Sequence, residues 1–267
     1  MDFNILCCDL DGTLLTYKDN VSTYTIQAIA RIKSRMRIIL ASARMPKSMT
    51  YIQKELGIVD QPIICYNGAL VLNGDKEVTS TYIDLKSIGT IHEMASKLDI
   101  RLGLYSWHEW YTETDSERIR KEIKHTKVSP IFRPTEATLA DWKNRDMGAH
   151  KIMLMGDRKN MDIFFSFLSD TFSKTLHIYR SNDTLIEIAP LSVSKLTAIS
   201  FLLREDESIK NILAFGDNYN DMDLLKNVGR GIAVGNAREE VKSIAHAVTL
   251  PNTQDGVAHY LNTHIII

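Results

Sequence analysis

A split α/β core with a parallel sheet, interrupted by an α+β insertion, is the fold class this sequence predicts. Three observations predict it. Short apolar runs alternate with amphipathic segments near the start of the chain, the same rhythm returns near its end, and the stretch between loses it. Strands alternating with helices read as βαβ units around a parallel sheet. Strands met in consecutive pairs read as hairpins.

In chain order, Asn4–Cys8, Arg37–Ala41 and Pro62–Tyr66 are apolar runs of strand length. Ser22–Ser34 and Lys47–Leu56 between them have helical spacing, with Ile26, Ile29, Ala30 and the aliphatic stem of Lys33 on one side. The middle predicts a helix over Leu85–Leu98, a hairpin of Arg101–Ser106 with Glu109–Thr112, and a strand over Lys151–Met155. A helix over Met161–Phe172 and a second hairpin of Leu176–Arg180 with Leu185–Ile188 follow. The charge-rich Ser116–Lys127 reads as a solvated helix. Alternation then resumes with a helix over Ser194–Arg204, a strand over Ile212–Phe215, a helix beginning in Asn220–Lys226, and short strands at Gly231–Val234 and Ala247–Leu250. The expected domains are a core of residues 1–81 and 189–267 and an insertion of 82–188.

Bulk composition narrows the function. The 267 residues are 44% hydrophobic and 24% charged, with a formal net charge of -1. Such a chain has no global basic field for nucleic acid or an anionic membrane, so an anionic substrate must be held by local charges. No signal-like segment or membrane-length apolar run is present, so a cytoplasmic location is expected. Cys7, Cys8 and Cys65 form no CxxC pair and are odd in number, which fits buried thiols in a reducing compartment. The eight histidines show no zinc-ligand spacing.

Four loops carry chemistry. Asp9-Leu10-Asp11-Gly12-Thr13 follows the first apolar strand, where ligand sites lie in open parallel sheets. Residues two apart on an extended segment point the same way, so Asp9 and Asp11 can address one site, one attacking and one moving a proton. A calcium loop needs further oxygen ligands at fixed later spacings, which the following Leu14, Leu15, Thr16 and Tyr17 do not supply. Ala41-Ser42-Ala43-Arg44 follows the second strand, and its hydroxyl and backbone N–H groups suit a phosphate oxygen. Lys195 begins a late helix and could neutralise phosphate; alone it reads as a solvated surface group. Gly216-Asp217-Asn218-Tyr219-Asn220-Asp221 follows a late strand with hard oxygen ligands suited to Mg²⁺. A nucleophile, an acid/base, a hydroxyl, a cation and metal oxygens together suit phosphoryl transfer.

These four segments resemble, in order, the motifs of haloacid dehalogenase-type phosphatases. Tyr66-Asn67-Gly68-Ala69, Gly231–Ala237 and Asp255-Gly256-Val257-Ala258 resemble the Cof-type subgroup, subfamily IIB. The resemblance implies a Rossmann-like core and an α+β (C2B) cap inserted after the third core strand. The cap would close over the leaving group and choose the substrate. It also implies that Asp9 forms an aspartyl-phosphate, and that Asp11 protonates the leaving oxygen and then activates water. Ser42, Lys195, Asn220 and the backbone at Gly12 and Ala43 would meet the phosphoryl oxygens. Asp9, the backbone carbonyl of Asp11, and Asp217 would hold Mg²⁺, and Asp221 would orient Lys195 or a metal-bound water. Two positions depart from the family: Ala43 and Leu196 stand where glycine is usual. Neither removes a reacting group, so activity is expected to survive.

Some residues stay open at this level. Arg44 fits either substrate phosphate or a bridge to carboxylates, and Asn67 fits either a site entrance or a simple turn. Trp107, His108, Trp110 and Tyr111 fit either a ring-stacking surface or core packing. The expected function is Mg²⁺-dependent hydrolysis of a small phosphate monoester, a sugar phosphate first. Phosphatases of nucleotide-like or cofactor phosphates (flavin precursors, pyridoxal phosphate), then a phosphomutase and a non-catalytic sensor, are the alternatives. A small phosphorylated metabolite is the expected partner, with the chain a monomer or weak homo-oligomer.

Overall fold

The structure, a computed structural model, describes residues 3–17 and 20–266. They divide into two compact units, the described residues up to 79 with 194–266, and residues 80–193.

The first unit opens with β1 (Ile5–Cys8), α1 (Thr23–Ile32), β2 (Arg37–Ala41), α2 (Lys47–Leu56) and β3 (Ile63–Cys65). Strand β1 is wholly buried, as an apolar run between two covered faces must be. Cys7 and Cys8 are therefore buried on opposite faces, and burial pushes the Cys7 thiol up to about 12. Ser22 caps α1 by accepting from the Thr25 N–H at 3.0 Å. Gly57 ends α2 in the left-handed conformation. An unexpected hairpin follows, β4 (Leu70–Asn73) and β5 (Lys76–Ser80), turning at Gly74 with φ 62°.

The second unit holds α3 (Leu85–Lys97), β6 (Arg101–Ser106), β7 (Glu109–Thr112), α4 (Glu117–Thr126), β8 (Ile131–Phe132) and α5 (Thr135–Asn144). It continues with β9 (Lys151–Met155), α6 (Arg158–Phe172), β10 (Leu176–Asn182) and β11 (Leu185–Pro190). Its sheet runs β10-β11-β9-β6-β7-β8 and is antiparallel except for the β7–β8 pair. Alternation puts Leu102, Leu104, Ile152, Leu154, Ile186 and Ile188 on one face, in a core with Ile88, Ile91, Phe164 and Leu168 of α3 and α6. Trp110 and Tyr111 are 1% and 4% exposed and belong to the packing. Trp110 stacks on Tyr105 at 5.2 Å, and Tyr111 meets the edge of Trp142 at 5.9 Å. Helix α5 and strand β8 were not foreseen.

The chain then completes the first unit with α7 (Lys195–Ser200), β12 (Ile212–Gly216), α8 (Met222–Asn227), β13 (Arg230–Ala233), α9 (Glu239–Ile244), β14 (Ala247–Val248) and α10 (Gly256–His264). Helix α7 is shorter than its apolar pattern suggested. The eight-stranded sheet runs β14-β13-β12-β1-β2-β3-β4-β5, parallel from β14 to β3. The central strand β1 sits between β12 and β2, so the loops after all three leave the same edge side by side. No described helix is long and apolar enough to cross a membrane.

One turn sets where α7 begins. Asn67 and Gly68 have φ of 56° and 110°, and a Cβ on Gly68 would lie 2.4 Å from the Ser194 carbonyl oxygen. Only glycine allows both that backbone and that approach. Gly68→Ala should cost about 2–4 kcal/mol in urea unfolding; a loss within experimental error would show that the turn yields freely.

Candidate functional site

Strand β1 delivers Asp9, whose N–H donates to the Phe215 carbonyl on β12 at 3.1 Å. The chain then turns tightly: Thr13 and Leu15 N–H groups reach back to the Leu10 carbonyl, and the Leu14 N–H to Asp9. Gly12 makes the turn at φ 88°, where a Cβ would lie 2.6 Å from Asp217 Oδ2. A side chain there would press directly on that carboxylate.

Lys195 is the first residue of α7 and is 1% exposed. Its Nζ donates to Asp9 Oδ1 at 2.5 Å and to Asp221 Oδ1 at 2.6 Å. Asp221 is fully buried, and its second oxygen accepts the N–H groups of Asp217 and Asn218 at 2.9 and 3.1 Å. One carboxylate therefore both pairs with the ammonium and shapes the loop that presents Asp217. Thr13 Oγ1 donates to Asp217 Oδ1 at 3.2 Å, a contact the sequence did not single out.

Arg44 takes the carboxylate-bridging role. Its Nε and Nη2 donate to the two oxygens of Asp11, each at 2.7 Å. Its Nη1 reaches Tyr51 Oη at 3.1 Å and the Ser48 carbonyl at 3.3 Å. Burial works against the Arg44 charge, and the Asp11 carboxylate more than restores it. Ser42 is buried at the end of β2, where its Oγ accepts the Arg44 N–H at 3.2 Å. Asn67 and Asn220 meet each other, Nδ2 of Asn220 donating to Oδ1 of Asn67 at 2.9 Å. Ala43 and Leu196 are both half-buried.

The charges here do not balance. Ligand oxygens of Asp9, Asp217 and Asp221 lie within 4.8 Å of one another, and Lys195 supplies the cation between Asp9 and Asp221. Burial first, partly offset by Lys195, raises the Asp9 carboxyl well above its usual range, with Asp221 and Asp217 adding to the rise. Burial and then Asp221 push Asp217 up to about 7. Burial would lower the Lys195 ammonium, but Asp221 and Asp9 hold it well up. Hard oxygens carrying uncompensated negative charge are the donor set Mg²⁺ takes. Asp11 stands outside this trio, on Arg44, so its side chain is not among the gathered oxygens. A second trio, His92, Glu113 and Glu136, is satisfied internally: His92 pairs with Glu136 at 2.9 Å, and Glu113 accepts the Thr135 N–H at 3.0 Å.

Residues 6–261 match the family model for haloacid dehalogenase-like hydrolases. A Haemophilus influenzae protein is 30% identical over 97% of both chains. The Bacillus subtilis 5-amino-6-(5-phospho-D-ribitylamino)uracil phosphatase YitU is 26% identical over 97% of both chains. The Escherichia coli pyridoxal phosphate phosphatase YbhA is 27% identical over the full length of both. Among solved structures, a haloacid dehalogenase-like hydrolase from Bacteroides thetaiotaomicron superposes with TM-score 0.88 at 26% identity, covering 98% of this chain and 99% of that one.

The raised Asp217 carboxyl gives a pH signature. A carboxyl raised in the fold favours folding while protonated; that contribution is whole below its ordinary 3.8 and is lost as pH rises through about 7. A divalent cation binds the ionised form and reverses the loss. The rise in Tm on adding Mg²⁺ to chelator-treated protein should therefore be larger at pH 8 than at pH 5. Equal shifts at both would mean the ion does not meet these carboxylates.

Proposed function

The chain belongs to the haloacid dehalogenase-like hydrolases, and from that premise we propose that it hydrolyses a small phosphate monoester, with Mg²⁺, through an aspartyl-phosphate on Asp9. The observation that carries the reading is the clamp on Asp9. Lys195 engages Oδ1 and leaves the second oxygen to attack. In the first step that oxygen bonds to phosphorus as the bond to the leaving oxygen breaks, and Asp11 gives that oxygen a proton. In the second, Asp11 takes a proton from water, the water oxygen bonds to phosphorus, and the Asp9–phosphorus bond breaks to release phosphate. Lys195 balances charge on the phosphoryl oxygens, and the Ser42 hydroxyl and the Asn220 amide orient them. Mg²⁺, held by Asp9, Asp217 and the Asp11 carbonyl, would supply further neutralisation at phosphorus.

A sugar phosphate is the first substrate class in this proposal. The second class is a cofactor-related phosphate, favoured by the activities of the two relatives at 26% and 27% identity. The three buried cysteines suit a reducing cytoplasm, which is the proposed location.

Phosphate release should appear with Mg²⁺ and vanish with chelator, across a panel of sugar phosphates, a ribitylaminouracil phosphate and pyridoxal phosphate. Isomerised sugar phosphate in place of free phosphate would make the chain a mutase, and binding without turnover would make it a sensor. Asp9→Asn should reduce release by at least about a thousandfold while Tm is kept, because an amide is a poor nucleophile. Asp11→Asn should slow the second step enough for a phosphoprotein to be caught by mass spectrometry. Substantial turnover by the Asp9 variant would remove Asp9 from its role.

A further inference from the structure

Acid/base chemistry at Asp11 requires its carboxyl to stand at a set distance from Asp9. Strand β1 cannot hold it there, because the strand ends at Cys8 and Asp11 lies in the turn beyond. Three carbonyls of that turn are instead met by amide side chains from more than two hundred residues along the chain. Asn236 Nδ2 donates to the Gly12 carbonyl at 2.8 Å. Asn252 Nδ2 donates to the Leu15 carbonyl at 2.8 Å and reaches the Thr16 carbonyl at 3.4 Å. The two asparagines are joined, since Asn236 Oδ1 accepts the backbone N–H of Asn252 at 2.8 Å. Beyond them, Thr16 Oγ1 donates to Asp255 Oδ1 at 3.2 Å.

We infer that Asn236 and Asn252 are positioning residues for Asp11, a strap that fixes the turn carrying the acid/base; the inference rests on the phosphatase reading above. The chemistry of the strap argues for it. Asn236 donates at one end and accepts at the other, which an aspartate or alanine cannot do. Its anchor is firm: the Gly235 N–H donates to the Leu250 carbonyl at 3.1 Å, and a Cβ on Gly235 would lie 2.8 Å from the Pro251 ring. Asn236 is itself exposed, so core packing does not account for it. The tie acts at Gly12, directly after Asp11, and Gly12 also lies against Asp217. A turn freed at that carbonyl can shift Asp11 while Asp9, held by β12 and Lys195, stays in place. The Asn236-bearing and Asp255-bearing segments thereby gain a role that the reacting groups alone do not give them.

The test compares two leaving groups in Asn236→Ala, Asn252→Ala and the isosteric Asn236→Asp and Asn252→Asp. An alkyl phosphate needs its leaving oxygen protonated, whereas 4-nitrophenolate departs without help. For the best alkyl phosphate found in the panel, kcat/KM should fall by about tenfold or more in each variant, as loss of general-acid placement implies. For 4-nitrophenyl phosphate the fall should stay within about threefold, since the acid adds little there. Tm is read for every variant, and where an alanine variant fails to fold, its aspartate counterpart, which keeps the shape, decides. Equal losses on both substrates, no loss on either, or losses confined to the charged aspartate variants when the alanine variants fold would each overturn the strap and leave the phosphatase reading standing. A wild-type chain that hydrolyses neither ester would overturn that reading, and the strap with it.

Discussion

The site is organised by one buried ammonium. Asp9 and Asp221 are 5% and 0% exposed, and two carboxylates at that depth cannot both stay ionised without a cation between them. Lys195 is that cation, and three parts of the chain meet on it: the end of β1, the first residue of α7 and the loop after β12. The arrangement is cooperative. Asp221 can shape the Asp217 loop with one oxygen because Lys195 neutralises the other. Removing Lys195 would strand both carboxylates, a loss that in buried pairs typically costs about 3–5 kcal/mol, whereas neutralising Asp9 leaves the Lys195–Asp221 pair intact. Lys195 in turn depends on where α7 starts. The Ser194–Thr197 capping box sets that start, and Gly68 lets the preceding turn come close enough to fix it.

What the sequence revealed follows from how local each signal was. The alternating elements were legible because apolar spacing is a property of neighbours; β2 and the β6–β7 hairpin lie on the residues their patterns indicated. The β4–β5 hairpin was not, although Asn73-Gly74 is a turn signal, since its strands are short and β5 is largely exposed. The aromatic run after β6 was ambiguous for a physical reason: Trp110 and Tyr111 are adjacent, so they face opposite sides of the sheet whatever their function. Lys195 is the sharpest case. A lysine opening a helix looks like surface, and its burial is decided by carboxylates 186 and 26 residues away. Thr13 and Asn236 lie within recognisable motifs and Asn252 in none, yet the partners of all three are illegible in the sequence, because each acts through one to three hydrogen bonds to distant segments and no periodicity records that.

Arg44 adds a constraint that the four motifs do not state. Both Asp11 oxygens accept from the guanidinium, so in this arrangement the carboxyl group is turned toward Arg44. Proton transfer to a leaving oxygen therefore requires at least one of those two bonds to open. Arg44 cannot follow the carboxylate outward, because Tyr51 and the Ser48 carbonyl hold its third nitrogen and Ser42 holds its backbone N–H. The motion must then belong to Asp11. If its turn is strapped at Gly12 and Leu15, that motion reduces to rotation of the side chain about its own bonds, from the guanidinium toward phosphorus. A carboxylate on a short rigid tether between two fixed partners is pre-organised for alternate acid and base duty: Arg44 stabilises the form that has given its proton, and a leaving oxygen or water draws it away.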